Sequence, residues 1–254
     1  MPQISATSRL FSSAVFKELA GKGQSALFSR LLSQCNLNLN PLGTVGDVFE
    51  KAFATLRSVG QRDEYVFKAA LTHKVLLGAH SLKTASMLTE FRAGNCKADM
   101  VILNGTATVY EIKSDRDSLA RLERQLEAYR KVFAKAYVIA AEDHVDGVMR
   151  VAPDDVGVMC LTRRYQISTV RQAVENANRI CPETLFDSLR GGEAEQVLTR
   201  LGAVTPKVPN TQIYAARKGL FCQFPPSVLL AEVVQVLKRS RNLAPLGSLV
   251  DDLP

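Results

Sequence analysis

Lys97-Ala-Asp-Met-Val-Ile-Leu-Asn-Gly-Thr-Ala-Thr-Val-Tyr-Glu-Ile-Lys113 is the stretch that decides the fold. Its first half is apolar and β-prone apart from Asp99. Asn104-Gly105 is a strong short hairpin signal, because both residues tolerate the positive φ of a type I′ turn. The returning segment, Thr106 to Lys113, is rich in β-branched and aromatic residues, as strands are. Side chains alternate along a strand, so Val109, Glu111 and Lys113 share one face. A register symmetric about the turn sets Asp99 opposite that group. The hairpin then carries two carboxylates and a lysine within reach of one ion. Mg²⁺ prefers hard oxygen ligands and takes one or two carboxylates beside water and phosphate. A lysine adjacent to such an ion can stabilise charge developing on a phosphate. The plainer reading is a surface hairpin with a Glu111–Lys113 salt bridge.

The sequence around the hairpin extends this pattern. Thr89 to Gly94 reads as a preceding strand, entered from a helical run over Leu76 to Leu88. After Lys113 comes Ser114-Asp-Arg-Asp-Ser118, where Asp117 or Ser118 suits an N-cap. Leu119, Leu122, Leu126, Tyr129 and Phe133 then recur at helical spacing. Ala136 to Ala141 is a short apolar strand. On the helix, Gln125 and Tyr129 lie four apart and share a face. Tyr129 also fits the apolar stripe as plain core, whereas an amide on the edge of a buried stripe needs a partner.

These residues resemble the PD-(D/E)XK nuclease superfamily. Asp99, Glu111 and Lys113 stand at its motif positions, with Ala98 where a proline is usual. Gln125 and Tyr129 resemble the Gln-x-x-x-Tyr signature of the RecB-like branch, and Glu90 falls at the first acidic position. The stretch is also similar to a set of bacterial proteins of unassigned role with the pattern ADxVxxNG…EIKSDxDxLxRLxxQxxAY. The resemblance covers about residues 84 to 142. It implies an α/β fold with a restriction-endonuclease-like core, a mixed central sheet flanked by helices in the order αβββαβ. It further implies a metal-dependent nuclease hydrolysing DNA, duplex or single-stranded, in defence against phage or mobile elements; the cytoplasmic setting is read from the cysteines. Mg²⁺ or Mn²⁺ would be held by Asp99, Glu111 and the Ile112 carbonyl. Glu90 is either a further ligand or an auxiliary acid, and Lys113 assists the nucleophile. Gln125 and Tyr129 position Lys113 or phosphate. Two other readings stay open: a catalytically silent nucleic-acid-binding protein on the same fold, and an interaction protein whose acidic pair is incidental.

The 254 residues allow one or two domains, and 46% hydrophobic with 22% charged residues is an ordinary globular composition. No apolar run is long enough to span a membrane. Five scattered cysteines without CxxC spacing suit a reducing compartment and argue against a zinc site. His73 and His80 read as structural.

We divide the chain into a helical region over 1–83, a core over 84–142 and a mixed region over 143–254. In the first, helices are expected over Ser8 to Leu19, Ser25 to Leu32, about 44 to 59, and Glu64 to Leu77, with a loop at Asn36 to Pro41. Asp143 to Gly147 reads as a turn, and Val156 to Thr162 and Tyr165 to Val170 as strands around Arg163-Arg164. Helix is expected from Arg171 to Pro182 and over Glu193 to Leu201, then irregular chain among the prolines from Pro206 to Pro226. A last helix, capped by Ser227, should run from Val228 to about Arg239.

Net charge is +7. Arg200, Lys207, Arg217, Lys218, Lys238, Arg239 and Arg241 face only Glu232 in their own segment, which is +6 of that excess. Lysine and arginine neutralise phosphates and release counterions. Arg217, Lys218, Lys238 and Arg239, with Arg121 and Arg124 on the core helix, are therefore the expected DNA contacts. Tyr214, Phe221 and Phe224 are candidates for stacking on bases. A homodimer or an accessory protein would complete the partners.

Overall fold

The hairpin forms, but its register differs from that of a two-residue turn. Strands β2 (Cys96–Asn104) and β3 (Thr106–Lys113) pair Leu103 with Ala107 and Asn104 with Thr106, centred on Gly105 at φ 70°. A two-residue turn would pair Leu103 with Thr106 instead. Shifting a register by one residue exchanges the faces of every side chain. The observed register therefore sets Asp99 across from Glu111 rather than from Tyr110.

A computed structural model describes residues 2–35, 43–58, 62–76, 85–205 and 207–241. A six-stranded mixed sheet runs in the order β1-β2-β3-β4-β5-β6. β1 (Ser86–Ala93), β2 and β3 form an antiparallel meander, and β4 (Lys135–Ala141) joins β3 in parallel. β5 (Gly157–Leu161) continues in parallel, and β6 (Ile167–Arg171) returns antiparallel. The parallel β3–β4 pair needs a crossover, and helix α6 (Leu122–Arg130) supplies it.

Helices cover both faces, so the central strands are apolar almost throughout. On one face, Val101, Val109, Val138 and Val158 pack against Leu122, Leu126 and Tyr129 of α6. The helices α7 (Val145–Val151), α8 (Pro182–Asp187), α9 (Gly191–Arg200), α10 (Asn210–Phe221) and α11 (Pro226–Ser240) complete that layer. On the other face, Met100, Ile102, Ile112 and Ile139 pack against Val66, Phe67, Ala70 and Leu71 of α5 (Glu64–Leu71). Leu56 of α4 (Val45–Ser58) joins them. The N-terminal helices α1 (Pro2–Leu10), α2 (Ser13–Lys22) and α3 (Ala26–Cys35) form a cluster of their own with Val48 and Ala52 of α4. No helix among the described residues is long and apolar enough to cross a membrane.

Several local expectations are corrected. The helix foreseen over Ser8 to Leu19 is broken at Phe11 and Ser12. α5 passes into a π-helical turn, Thr72–Leu76, and Ser86 to Leu88 belong to β1 rather than to a helix. Asp117 does not cap α6; it accepts hydrogen bonds from the Ser114 amide (2.8 Å) and hydroxyl (2.5 Å) and closes the loop after β3. Asp143 to Gly147 enters a helix instead of turning. The helix foreseen from Arg171 is absent, because Arg171 ends β6 and Pro182 opens α8, as proline at a first helical position does. α10 lies inside the stretch expected to be irregular. α11 starts at Pro226, one residue before the expected cap. Asn36 to Pro41, His80 and the chain after Arg241 lie outside the described residues.

One glycine is fixed by packing. A Cβ on Gly157 would sit 2.2 Å from Tyr137 Cε1 and 2.7 Å from the Ala173 nitrogen. Tyr137 is itself stacked on Tyr110, with ring centroids 5.5 Å apart. Gly157→Ala should therefore cost about 1–3 kcal/mol of overpacking, a fall of roughly 2–12 °C in Tm. Gly192→Ala, where nothing lies within 4 Å, should leave Tm unchanged or slightly raised. Equal effects of the two in a thermal melt would contradict this packing.

Candidate functional site

Glu111 and Lys113 both project from β3 into the layer beneath α6, where their side chains are 2% and 5% exposed. Charges so deeply buried need complete hydrogen bonding, and α6 supplies it. The Lys113 ammonium donates to Glu111 Oε1 (2.8 Å) and to Gln125 Oε1 (3.0 Å). Gln125 Nε2 donates to Glu111 Oε1 (2.6 Å), and the Tyr129 hydroxyl stands 2.7 Å from Glu111 Oε2. The same hydroxyl lies 2.7 Å from the Lys97 carbonyl, which ties α6 to the start of β2. Burial, and then the Glu111 charge, push the Tyr129 phenol well above its ordinary range, so it remains a donor. The structure thus brings Glu111, Lys113, Gln125 and Tyr129 into one network. The Gln125–Tyr129 spacing matters because one helical turn lets both reach a single carboxylate.

Asp99 stands across from Glu111, and its carboxylate meets the next residue of β3. The Ile112 amide donates to Asp99 Oδ2 at 2.8 Å, so it is the N–H of Ile112 that meets the aspartate. Its carboxylate groups with those of Glu64 and Glu90, with the three ligand atoms within 4.8 Å of one another. Glu90 belongs to this group by register. Thr89 pairs with Met100 and Phe91 with Ala98, which leaves Glu90 across from Asp99. Like charges facing each other across a strand pair are unfavourable. Glu90 also has φ 54°, a left-handed conformation that costs a non-glycine residue about 1–3 kcal/mol. Lys68 offsets part of this charge, 2.5 Å from Glu64 and 3.9 Å from Glu90, and Lys97 lies 3.7 Å from Glu90. Burial, then the charge of Glu111, push the Asp99 carboxyl up to about 7, against the opposing Ile112 amide.

The fit to a divalent cation follows from this donor set. Three carboxylates on β1, β2 and α5 converge, and hard oxygen donors of this kind suit Mg²⁺ or Mn²⁺. Glu111, by contrast, is wholly engaged by Lys113, Gln125 and Tyr129. Glu64 was not singled out in the sequence. It lies 35 positions before Asp99, and no spacing rule joins a helix start to a distant strand. Arg62 is a second residue of this kind. It is 4% exposed, donates from its amide to Asp115 Oδ2 (2.7 Å) and from its guanidinium to the Thr162 carbonyl (2.6 Å), and fixes the entry to α5.

The expected nucleic-acid contacts are scattered by the fold. Arg121 and Arg124 are exposed near and on α6. Arg217 pairs with Glu195 at 2.8 Å, Lys218 with Asp187 at 2.7 Å and Arg241 with Glu193 at 2.6 Å, while Arg200 pairs with Glu232. Lys238 is engaged as well, and Arg239 is exposed. The basic segment is therefore largely neutralised by acids from α8 and α9. Phe221 is fully buried, and the Tyr214 hydroxyl bonds Asp187. These aromatic residues serve packing and hydrogen bonding.

Comparison with known proteins corrects the assignment made from motifs. The family model described as "Bacteriophage P4 protein cII" matches residues 57–221. Among curated proteins, Protein cII of Enterobacteria phage P4 is 33% identical over 102 residues, 39% of this chain and 38% of the phage protein. The chain thus matches about two fifths of the length of that relative. No solved structure matches. These matches overturn the expected membership of the PD-(D/E)XK superfamily, and with it the expected bacterial DNA nuclease of defence and its silent counterpart. The match over 57–221 takes in α5, the whole sheet and the helices through α10, and the chain belongs to the bacteriophage P4 protein cII family.

Proposed function

We propose that the Asp99 cluster is a divalent-cation site, for Mg²⁺ or Mn²⁺, at which the protein acts as a phosphodiesterase. The observation that carries this reading is the convergence of Glu64, Glu90 and Asp99 beside the buried Glu111–Lys113 pair. Acids are placed against one another, one of them in a costly backbone conformation, where a cation would relieve the repulsion and offset the backbone cost. When bound, such an ion neutralises phosphate charge and activates water. Asp99, Glu90 and Glu64 would hold it. Glu111 and Gln125 fix the Lys113 ammonium and use two of its three N–H donors, leaving the third for a phosphate oxygen. Tyr129 and Gln125 keep Glu111 from moving toward the cation.

The run α5-β1-β2-β3-α6-β4 supports a restriction-endonuclease-like arrangement of the core as a likeness of architecture, which leaves the family where the sequence match puts it. The free cysteines Cys35, Cys96, Cys160, Cys181 and Cys222 support a reducing, cytoplasmic setting.

The test is hydrolysis of bis(p-nitrophenyl) phosphate with Mn²⁺, Mg²⁺ or EDTA. Release of nitrophenol should require the cation and fall roughly a hundredfold or more in Asp99→Asn. Cation binding without any hydrolysis, or hydrolysis untouched by Asp99→Asn, would sink the enzymatic reading.

A further inference from the structure

We propose that a basic cleft beside the π-helical turn that follows α5 binds the backbone phosphates of a nucleic acid. Arg57, Lys74, Arg163, Arg164, Tyr165 and Gln166 line it, and its volume is about 390 Å³. Its cations come from three separate elements. Arg57 ends α4, Lys74 lies on the π-helical turn after α5, and Arg163 and Arg164 form the turn between β5 and β6. Arg57 and Lys74 both sit against the Tyr165 ring, 5.3 and 5.6 Å from its centroid. One ring thus holds two like charges close together, and Arg164 follows next to it in the chain.

Among the described residues, the carboxylates that reach this group are Glu142 and Asp143, and both pair with Arg163. Among the described residues no carboxylate pairs with Arg57, Lys74 or Arg164, in contrast to the basic residues on α9, α10 and α11. The Tyr165 hydroxyl is shut from solvent and meets no hydrogen-bond partner among the described residues. Lys74 is held by Gln166 Oε1 at 3.0 Å. A group of cations held together without their own anions is an anion site, and guanidinium forks match phosphate oxygens in pairs.

A nucleic-acid strand suits the cleft better than one free phosphate, because the cations span three elements. Glu64 and Lys74 also lie ten residues apart on one continuous helical rod, roughly 15 Å along its axis. A strand can reach from one to the other. This last argument rests on the proposed cation site, whereas the cleft itself does not.

The test is fluorescence anisotropy of labelled single-stranded and duplex oligonucleotides with the full chain in EDTA, so that binding is read without cation. Lys74→Glu/Arg164→Glu should weaken binding at least tenfold. It should also reduce the slope of log affinity against log salt by about one to two between about 50 and about 200 mM. The charge-matched control Lys22→Glu/Arg150→Glu should change affinity less than threefold. Arg164→Gln, at an exposed side chain without an ion-pair partner among the described residues, keeps the fold and should weaken binding about threefold.

Wild-type affinity and salt slope in the cleft variants would overturn the proposal. So would loss of binding on Lys238→Glu/Arg239→Glu in place of the cleft variants. Equal competition by polyglutamate would assign the cleft to an acidic protein, and equal competition by inorganic phosphate would assign it to a single phosphate. Failure of the wild-type chain to bind oligonucleotide, with an intact Mn²⁺ response, counts against the cleft alone. Absence of a Mn²⁺ response in the wild-type chain, with intact oligonucleotide binding, counts against the cation site alone.

Discussion

Lys113→Met is expected to lower the stability of the fold by about 3–5 kcal/mol. The reason is the charge it would leave behind. Glu111 is 2% exposed, and Lys113 is the cation that balances it within hydrogen-bond distance. Gln125 and Tyr129 would still donate to the carboxylate, but neither carries charge. For a chain of this length the loss corresponds to a fall of roughly 6–20 °C in Tm. Glu111→Gln/Lys113→Met removes both charges and keeps an amide between Tyr129 and Gln125, so it should recover more than half of the loss. Urea unfolding of the two variants measures this. A loss below about 1 kcal/mol in the single variant would place the pair in the energetic class of exposed ion pairs, contrary to its burial. The expected destabilisation also makes Lys113 a poor first test of chemistry, because lost activity and lost fold would coincide.

Asp99 should give the protein an inverted pH dependence when no cation is bound. Its carboxyl is pushed up to about 7, above the ordinary 3.8, first by burial and then by the Glu111 charge. A folded-state value above the unfolded one contributes stability that is complete below the unfolded value. That stability is lost as pH rises through the folded value. In EDTA, Tm should therefore fall as pH rises from about 4 through about 7. A divalent cation binds the ionised form, so its stabilising effect should grow over the same window. At a hundred times Kd the gain is about 2.7 kcal/mol, or roughly 5–11 °C. Asp99→Asn should flatten the EDTA profile and remove the Mn²⁺ gain, and Glu90→Gln should weaken the gain while leaving most of the pH trend. A Mn²⁺-induced rise of equal size in Asp99→Asn would rule out this carboxylate as a ligand.

Short-range physics made much of the core legible. The Asn104-Gly105 signal located the hairpin, the spacing of Leu122, Leu126 and Tyr129 located α6, and Glu111, Lys113, Gln125 and Tyr129 are in contact. Each of these follows from neighbours within a turn or a strand. The family was not legible in the same way. A few residues on one hairpin and one helix resemble a nuclease motif, whereas the match to the phage P4 protein cII family runs over residues 57–221.

What the sequence by itself determined is the type of its strongest elements and the chemistry they carry: a β-hairpin with acids and a lysine, a helix offering Gln125 and Tyr129, and an excess of positive charge. Tertiary structure decided where those charges act. The hairpin register about Gly105 set Asp99 across from Glu111, and docking of α5 through Val66, Phe67, Ala70 and Leu71 delivered Glu64 to Asp99. Folding also set Asp187, Glu193 and Glu195 against a basic segment that looks unopposed in the chain, while Arg57, Lys74 and Arg164 came together with no paired carboxylate among the described residues. The physical reason is range. Backbone preference and side-chain periodicity act over a few residues and are written locally, whereas electrostatic pairing depends on distance in space, which only the packed core fixes.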